Sequence, residues 1–191
     1  MLHNVHAWVI SAWDLIIFFW LITALRVKRA VQVQGVGQRL LHSSVLAIAA
    51  VLLFAQWPDL GPLNARAWPK LASFAITGIV LTFAGVLIAI LAKVYLGANW
   101  SGRPSIKEGH ELIRKGPYAV VRHPIYSGLL LAAVGTAVAF GQDRNLLALP
   151  LVLFGFWLKL RTEEKFMTQA FGDQYVAYQK SVKRAMIPYI L

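Results

Sequence analysis

Five apolar stretches of near membrane-spanning length, at residues 7–25, 41–57, 71–96, 124–141 and 146–160, constrain the fold of this chain more than any other feature. A helix needs roughly 20 predominantly apolar residues to cross a hydrocarbon core about 30 Å thick, and only a helix or a closed barrel pairs all its backbone groups there. The second and fifth stretches are short for that task. With 58% of its 191 residues hydrophobic and 14% charged, the chain lacks the surface chemistry of a soluble domain. The expected fold class is all-α, a polytopic integral membrane protein of about five transmembrane helices. No repeat or linker divides it, so residues 1–191 read as one domain, with the N-terminal spans in 1–70 and the chemistry in a core at 71–191. The first stretch lacks a basic segment before it and is followed by Arg26, Lys28 and Arg29, which reads as a retained span.

A net charge of +11 would suggest a nucleic-acid partner in a soluble protein; in a membrane protein its placement reports topology instead. Arg26, Lys28, Arg29 and Arg39 fall in the first loop, and Lys93, Arg103, Lys107, Arg114, Lys115 and Arg122 in or beside the third. Lys159, Arg161, Lys165, Lys180, Lys183 and Arg184 fall at or after the fifth stretch, and only Arg66, Lys70 and Arg144 lie on the opposite side. The positive-inside rule then predicts an outer N-terminus and a cytoplasmic C-terminus, with the third loop and the tail in one compartment. A bacterial inner membrane is the expected host, and no nucleic acid is an expected partner. Cysteine is absent, which excludes disulfides, thiolate catalysis and cysteine-ligated metals.

The fourth stretch carries Gly128, Ala132, Gly135 and Ala139 on one helical face, a pattern for close helix packing. A tight hairpin at Gln142 to Asn145 joins it to the fifth. Beyond that, Glu164, Met167, Phe171, Tyr175 and Tyr178 recur at helical spacing, predicting an amphipathic helix that Gly172-Asp173 breaks in two.

The run Gly116-Pro117-Tyr118-Ala119-Val120-Val121-Arg122-His123-Pro124-Ile125-Tyr126 sits where the third loop enters the fourth stretch, and Glu163-Glu164 returns to the same face. Pro124 suits a first helical turn, where its missing N–H would be unpaired anyway. Arg122 and His123 are then expected at the helix mouth, whose free N–H groups favour a ligand carboxylate, while the glutamates offer the opposite sign. Anion contacts, aromatic faces and a carboxylate for an ammonium together suit a zwitterionic, nucleoside-bearing ligand. Any one interfacial Tyr, Arg or His can merely anchor a helix end, and one of the two glutamates can be a solvated group of the tail. The ordered set argues for a site and against a non-enzymatic packing protein. His3, His6 and His42 read as interfacial. His110 and His123 lack companion ligands at metal spacing, so no metal is expected. Asp14, inside the first stretch, costs a few kcal/mol unless it faces protein, water or the outer interface.

The elements Leu-Gly-x-x-Trp-Ser from Leu96, Gly-His-x-Leu from Gly109, Gly-x-Tyr from Gly116, Arg-His-Pro-x-Tyr from Arg122, Glu163-Glu164, Phe-Gly-Asp-x-Tyr-x-x-Tyr from Phe171 and Ile187-Pro188 resemble, in order and spacing, the isoprenylcysteine carboxyl methyltransferase family and its phospholipid-methyltransferase relatives. The resemblance covers about the last 100 residues. It implies an integral-membrane methyltransferase with S-adenosyl-L-methionine as cofactor, held in a cytoplasmic pocket formed by the third loop and the helical tail, and a lipophilic acceptor entering from the bilayer. The family's cofactor contacts fall on His110, Glu111, Leu112, Ile113, Tyr118, His123, Pro124, Ile125, Tyr126 and Glu163, with Glu163 taking the methionine ammonium. Where the eukaryotic enzymes carry a substrate-facing Arg, this chain has Lys159, with Arg161 two residues on; both are candidates for positioning the acceptor. Lysine keeps the charge and loses the bidentate fork. A carboxylate acceptor fits the lack of a dedicated base, with phospholipid amines or small thiols as the alternative. A nicotinamide-dependent, sterol-reductase-like enzyme is the rival from another class.

Overall fold

The computed structural model describes residues 4–25, 28–55, 61–100 and 104–187. His3, Arg26, Trp57, Ser101, Arg103 and Pro188, which figure in the reading above, lie outside them. The elements run α1 (Val5–Ala24), β1 (Ala30–Val33), α2 (Val36–Phe54), α3 (Ala72–Leu96), β2 (Ser105–Lys107), α4 (Pro124–Phe140), α5 (Asp143–Phe171) and α6 (Asp173–Ser181). Among the described residues, α1, α2, α3 with its following turn, and α5 are long and apolar enough to cross a membrane, and α4 is a shorter apolar helix of 17 residues. Pro124 opens α4 and Gly141, in the left-handed region at φ +64°, ends it, so its length is set by its two terminators.

The closest helix contact is made by small residues. Gly78 and Gly85 of α3 face Gly128, Ala132, Gly135 and Ala139 of α4, so the expected packing face meets α3 along its length. A Cβ on Gly135 would lie 2.7 Å from the Gly78 carbonyl oxygen, well inside van der Waals contact. With no side chain between them the backbones approach, which is how membrane helices gain packing energy without a hydrophobic drive. Thr136 adds polar contacts, accepting from the Trp13 indole N–H at 3.0 Å and standing 3.5 Å from the Thr82 hydroxyl.

The fifth apolar stretch departs from expectation. Apolarity bounds it at 146–160 and predicts a separate amphipathic helix behind it, whereas α5 is one helix of 29 residues, about 43 Å at 1.5 Å per residue. Hydropathy ends near Leu160, but the Arg, Glu and Lys that follow are good helix formers, and no breaker stands after them until Gly172 at φ +52°. The amphipathic pattern from Glu164 is therefore the end of α5 plus α6.

The two ends of the bundle are distinct. At one, β1 and β2 form an antiparallel ribbon that ties the first loop to the third, with Gln34 N–H donating to the Pro104 carbonyl at 3.1 Å. At the other, the segment before α3 meets the α4–α5 turn through Ala67 N–H to Gly141 O at 3.1 Å, and Asn145 donates to the carbonyls of Leu52 and Leu53 at 3.2 and 3.0 Å. Buried Arg144 donates to the Ala55 carbonyl and to Gln142. The otherwise unpaired carbonyls at the end of α2 are thus satisfied inside the protein.

Candidate active site

A cavity of about 330 Å³ opens at the ribbon end of the bundle. Its polar wall comes from the third loop and α5, and its apolar wall from α1, α2, α4 and α5 through Trp20, Leu46, Leu129 and Phe156. Of the residues singled out from sequence, His110, Glu111, Leu112, Ile113, Tyr118, His123, Ile125, Tyr126, Lys159 and Glu163 line it. Pro124 is buried as the opening residue of α4, and Arg161 lies outside the lining.

Helix geometry explains how the α5 residues divide. Lys159 and Glu163 are four apart and share a face, whereas Arg161 is about 200° round from Lys159. Lys159 Nζ lies 5.3 Å from the Tyr126 ring centre, beside the cavity, and the Arg161 guanidinium sits 4.7 Å over Trp157 on the outer side. The adjacent glutamates divide the same way. Glu163 faces the cavity, where the Tyr126 hydroxyl donates to Oε1 at 2.5 Å and His123 Nδ1 lies 3.5 Å from Oε2. Glu164 accepts from Arg122 Nε at 2.7 Å, pairs with His123 Nε2 at 3.2 Å and accepts from Gln179 at 3.2 Å. Its oxygens are committed to holding the tail.

His123 therefore bridges two carboxylates. Burial alone would lower its pKa, but the contacts with Glu163 and Glu164 outweigh burial and hold it above the ordinary value, with Nδ1 facing Glu163 and Nε2 facing Glu164. Burial drives the Tyr118 phenol well above its usual range and pushes Tyr178 up to about 12, which keeps both as neutral donors; Tyr178 donates to the Tyr118 carbonyl at 2.6 Å.

The mouth of α4 differs from expectation. A mouth open to a ligand carboxylate is expected, whereas the backbone N–H groups of Arg122 and His123 beside it donate to the carbonyls of Arg184 and Ala185 at 3.0 and 2.8 Å. Arg122 Nη1 donates to Val182 and Lys183, both at 2.8 Å. The tail after α6 occupies that end of the helix. His42, read as interfacial, is buried and hydrogen-bonded to the Gln38 carbonyl at 2.9 Å. His6 stacks on Phe140, and Asp14 is exposed on α1 away from the cavity. Sequence reasoning missed Trp20 and Leu46, which reach the cavity from spans with no motif, and Asn99, at a variable position of a motif.

The sequence model of the phospholipid methyltransferase family matches residues 73–174, from the start of α3 into α6. A probable protein-S-isoprenylcysteine O-methyltransferase of Oryza sativa subsp. indica is 35% identical over 133 residues, covering 66% of this chain and 69% of the relative. Protein-S-isoprenylcysteine O-methyltransferase B of Arabidopsis thaliana is 31% identical over 123 residues, covering 63% and 60%. The protein-S-isoprenylcysteine O-methyltransferase of Schizosaccharomyces pombe is 40% identical over 94 residues, covering 48% and 40%. These relatives are eukaryotic and lend the expected bacterial membrane no support.

Proposed function

Because the chain belongs to the isoprenylcysteine carboxyl methyltransferase family, within the phospholipid methyltransferases, and is a multi-pass membrane methyltransferase, we propose that it methylates the carboxylate of a lipophilic, isoprenylcysteine-like acceptor using S-adenosyl-L-methionine. The observation that carries this reading is the union, in one cavity, of a hydrogen-bonded carboxylate at Glu163 with an apolar flank that reaches α1 and α2. The donor set fits the cofactor: Glu163 suits its ammonium, and residues 110–113 with Tyr118 supply backbone and aromatic surface for the rest. Bound there, the cofactor supplies a methyl group activated by the sulfonium charge. Lys159, one turn before Glu163, suits the acceptor carboxylate. That carboxylate is ionised near neutral pH and needs no general base, so the protein's contribution is to position it and exclude water.

The α1–α2 arrangement supports entry from the side. The two helices meet edge to face at Trp13 and Phe54, 5.4 Å apart, at the far end of the bundle, and carry Trp20 and Leu46 to the cavity at the near end. An apolar chain lying between them reaches the cavity without crossing water.

Isothermal titration of the detergent-purified protein tests the cofactor. Saturable binding of S-adenosylmethionine and its demethylated product is expected, with no binding of reduced nicotinamide nucleotides; the reverse result would move the reading to the reductase class. Labelled-cofactor assays on lipid extracts then decide the acceptor, and a labelled phospholipid amine in place of a methyl ester would transfer the proposal to phospholipid methylation.

The charge asymmetry between the two ends supports a cytoplasmic cavity. Lys28, Arg29, Arg114, Lys115, Lys180, Lys183 and Arg184 accompany the cavity end, and Arg66, Lys70 and Arg144 the other. In a chain without native cysteines, Ala65→Cys should react with a membrane-impermeant maleimide in intact cells and Glu108→Cys only after lysis. Labelling of Glu108→Cys alone would invert the orientation.

A further inference from the structure

The third loop carries residues 110–113 to the cavity, yet between the turn at Gly97–Asn99 and the turn at Gly116–Ala119 its described residues include no helix and, as regular structure, the three-residue strand β2. Backbone pairing to β1 fixes the base of this excursion: Lys28 N–H donates to the Ala98 carbonyl at 3.0 Å, and Glu108 N–H donates to the Arg29 carbonyl at 3.0 Å. At the tip, one side chain makes three of the contacts. Lys28 Nζ donates to Asn99 Oδ1 at 3.0 Å and to the Gly109 carbonyl at 2.7 Å, and lies 3.8 Å from a Glu111 carboxylate oxygen. Asn99 Oδ1 also accepts the Glu111 backbone N–H at 3.4 Å. A single ammonium therefore gathers positions 99, 109 and 111, and Asn99 and Glu111 both line the cavity.

The Glu111 carboxylate is 71% exposed, so its ion pair with Lys28 contributes little, and the two hydrogen bonds carry the contact. Gly109 stands at φ +56°, a turn that glycine adopts freely in either hand and that needs an external hold to keep one geometry.

We infer that Lys28, in the first loop and ahead of the family-matched stretch, is a positioning residue that pre-organises the third-loop wall of the cofactor site. A wall already ordered spares the ligand the entropy of ordering it, so the benefit appears as affinity. Lys28 is absent from the cavity lining, so the reaction rate at saturation should be indifferent to it. This inference rests on the cofactor reading above.

The test is titration of S-adenosylmethionine into Lys28→Met, Lys28→Gln and Lys28→Arg in detergent, with steady-state kinetics and hydrogen exchange over residues 104–113. Lys28→Met and Lys28→Gln should raise Kd and KM at least tenfold while kcat stays within threefold. Lys28→Arg, which keeps charge and donors, should recover part of the affinity. Exchange over 104–113 should quicken in the first two variants and slow again at saturating cofactor. A purely stabilising role would lower the thermal midpoint and leave Kd alone, and Kd within threefold of the parent in either folded variant overturns the inference. Where neither folds, exchange in the parent decides: a Glu111 amide, which donates to Asn99 Oδ1, exchanging as fast as an unstructured peptide of the same sequence overturns it equally. A parent that binds no S-adenosylmethionine overturns the cofactor reading, whereas equal binding by parent and variants overturns this inference alone.

Discussion

Glu163→Gln is expected to weaken S-adenosylmethionine binding by roughly ten- to more than a hundred-fold, because it removes a charge-assisted hydrogen bond worth about 1.5–3 kcal/mol while keeping the side chain's shape. Gln can still accept from the Tyr126 hydroxyl, now 2.5 Å from Glu163 Oε1, so packing should survive and the loss should report charge. Lys159→Met should spare cofactor affinity and raise the apparent acceptor constant or lower turnover, since it removes charge beside the cavity and keeps an apolar stem. Arg161→Met should change either quantity less than Lys159→Met does, its guanidinium being stacked on Trp157 outside the cavity. Titration of all three folded variants, followed by steady-state kinetics in both substrates, separates the roles. Equal and complete loss of cofactor binding in all three would make this stretch of α5 one electrostatic unit and remove the division proposed here.

The contrast between Lys159 and Arg161 also marks what the chain discloses before it folds. The sequence holds the signal that separates them, because position 159 lies one helical turn from Glu163 and position 161 does not; reading it requires α5 to continue through both. Hydropathy hides that continuation, since the apolar run stops near Leu160 while the helix runs to Phe171. The division between Glu163 and Glu164 is less legible. Adjacent helical residues point about 100° apart, and which one meets the cavity depends on where Arg122 and Gln179 are delivered by other elements. Lys28 shows a third kind of gap. As a charge in a loop it reports topology, whereas its hydrogen bonds to Asn99 and Gly109 exist only after a ribbon joins two loops some 70 residues apart in the chain.

The small-residue face of α4, by contrast, is legible from spacing alone, and it leads to the second large effect. Gly85→Ala should destabilise the protein by about 1–3 kcal/mol, the range for overpacking a well-packed core, and Gly85→Leu should leave little folded material. The added methyl would meet the backbone of α4 directly, at Ala132 N, at the Gly128 carbonyl and 2.9 Å from Ala132 Cα. Backbone atoms cannot rotate away, so the helices must part by on the order of 1 Å to restore ordinary carbon separations of about 3.5–4.0 Å. Gly37→Ala, where a Cβ meets nothing within 4 Å, is the matched control and should be neutral or slightly stabilising, alanine being the better helix former. Parting α3 from α4 also has a chemical consequence. Ile125 and Tyr126 enter the cavity from the first turn of α4, so moving α4 moves the Tyr126 hydroxyl relative to Glu163. Folded Gly85→Ala should therefore bind S-adenosylmethionine more weakly than the parent, with Gly37→Ala binding as the parent does. Thermal unfolding and titration on the same samples check both halves. A Gly85→Ala protein as stable as the Gly37→Ala control would mean that the two helices are free to separate, and the close contact could not then be what places α4 against the site.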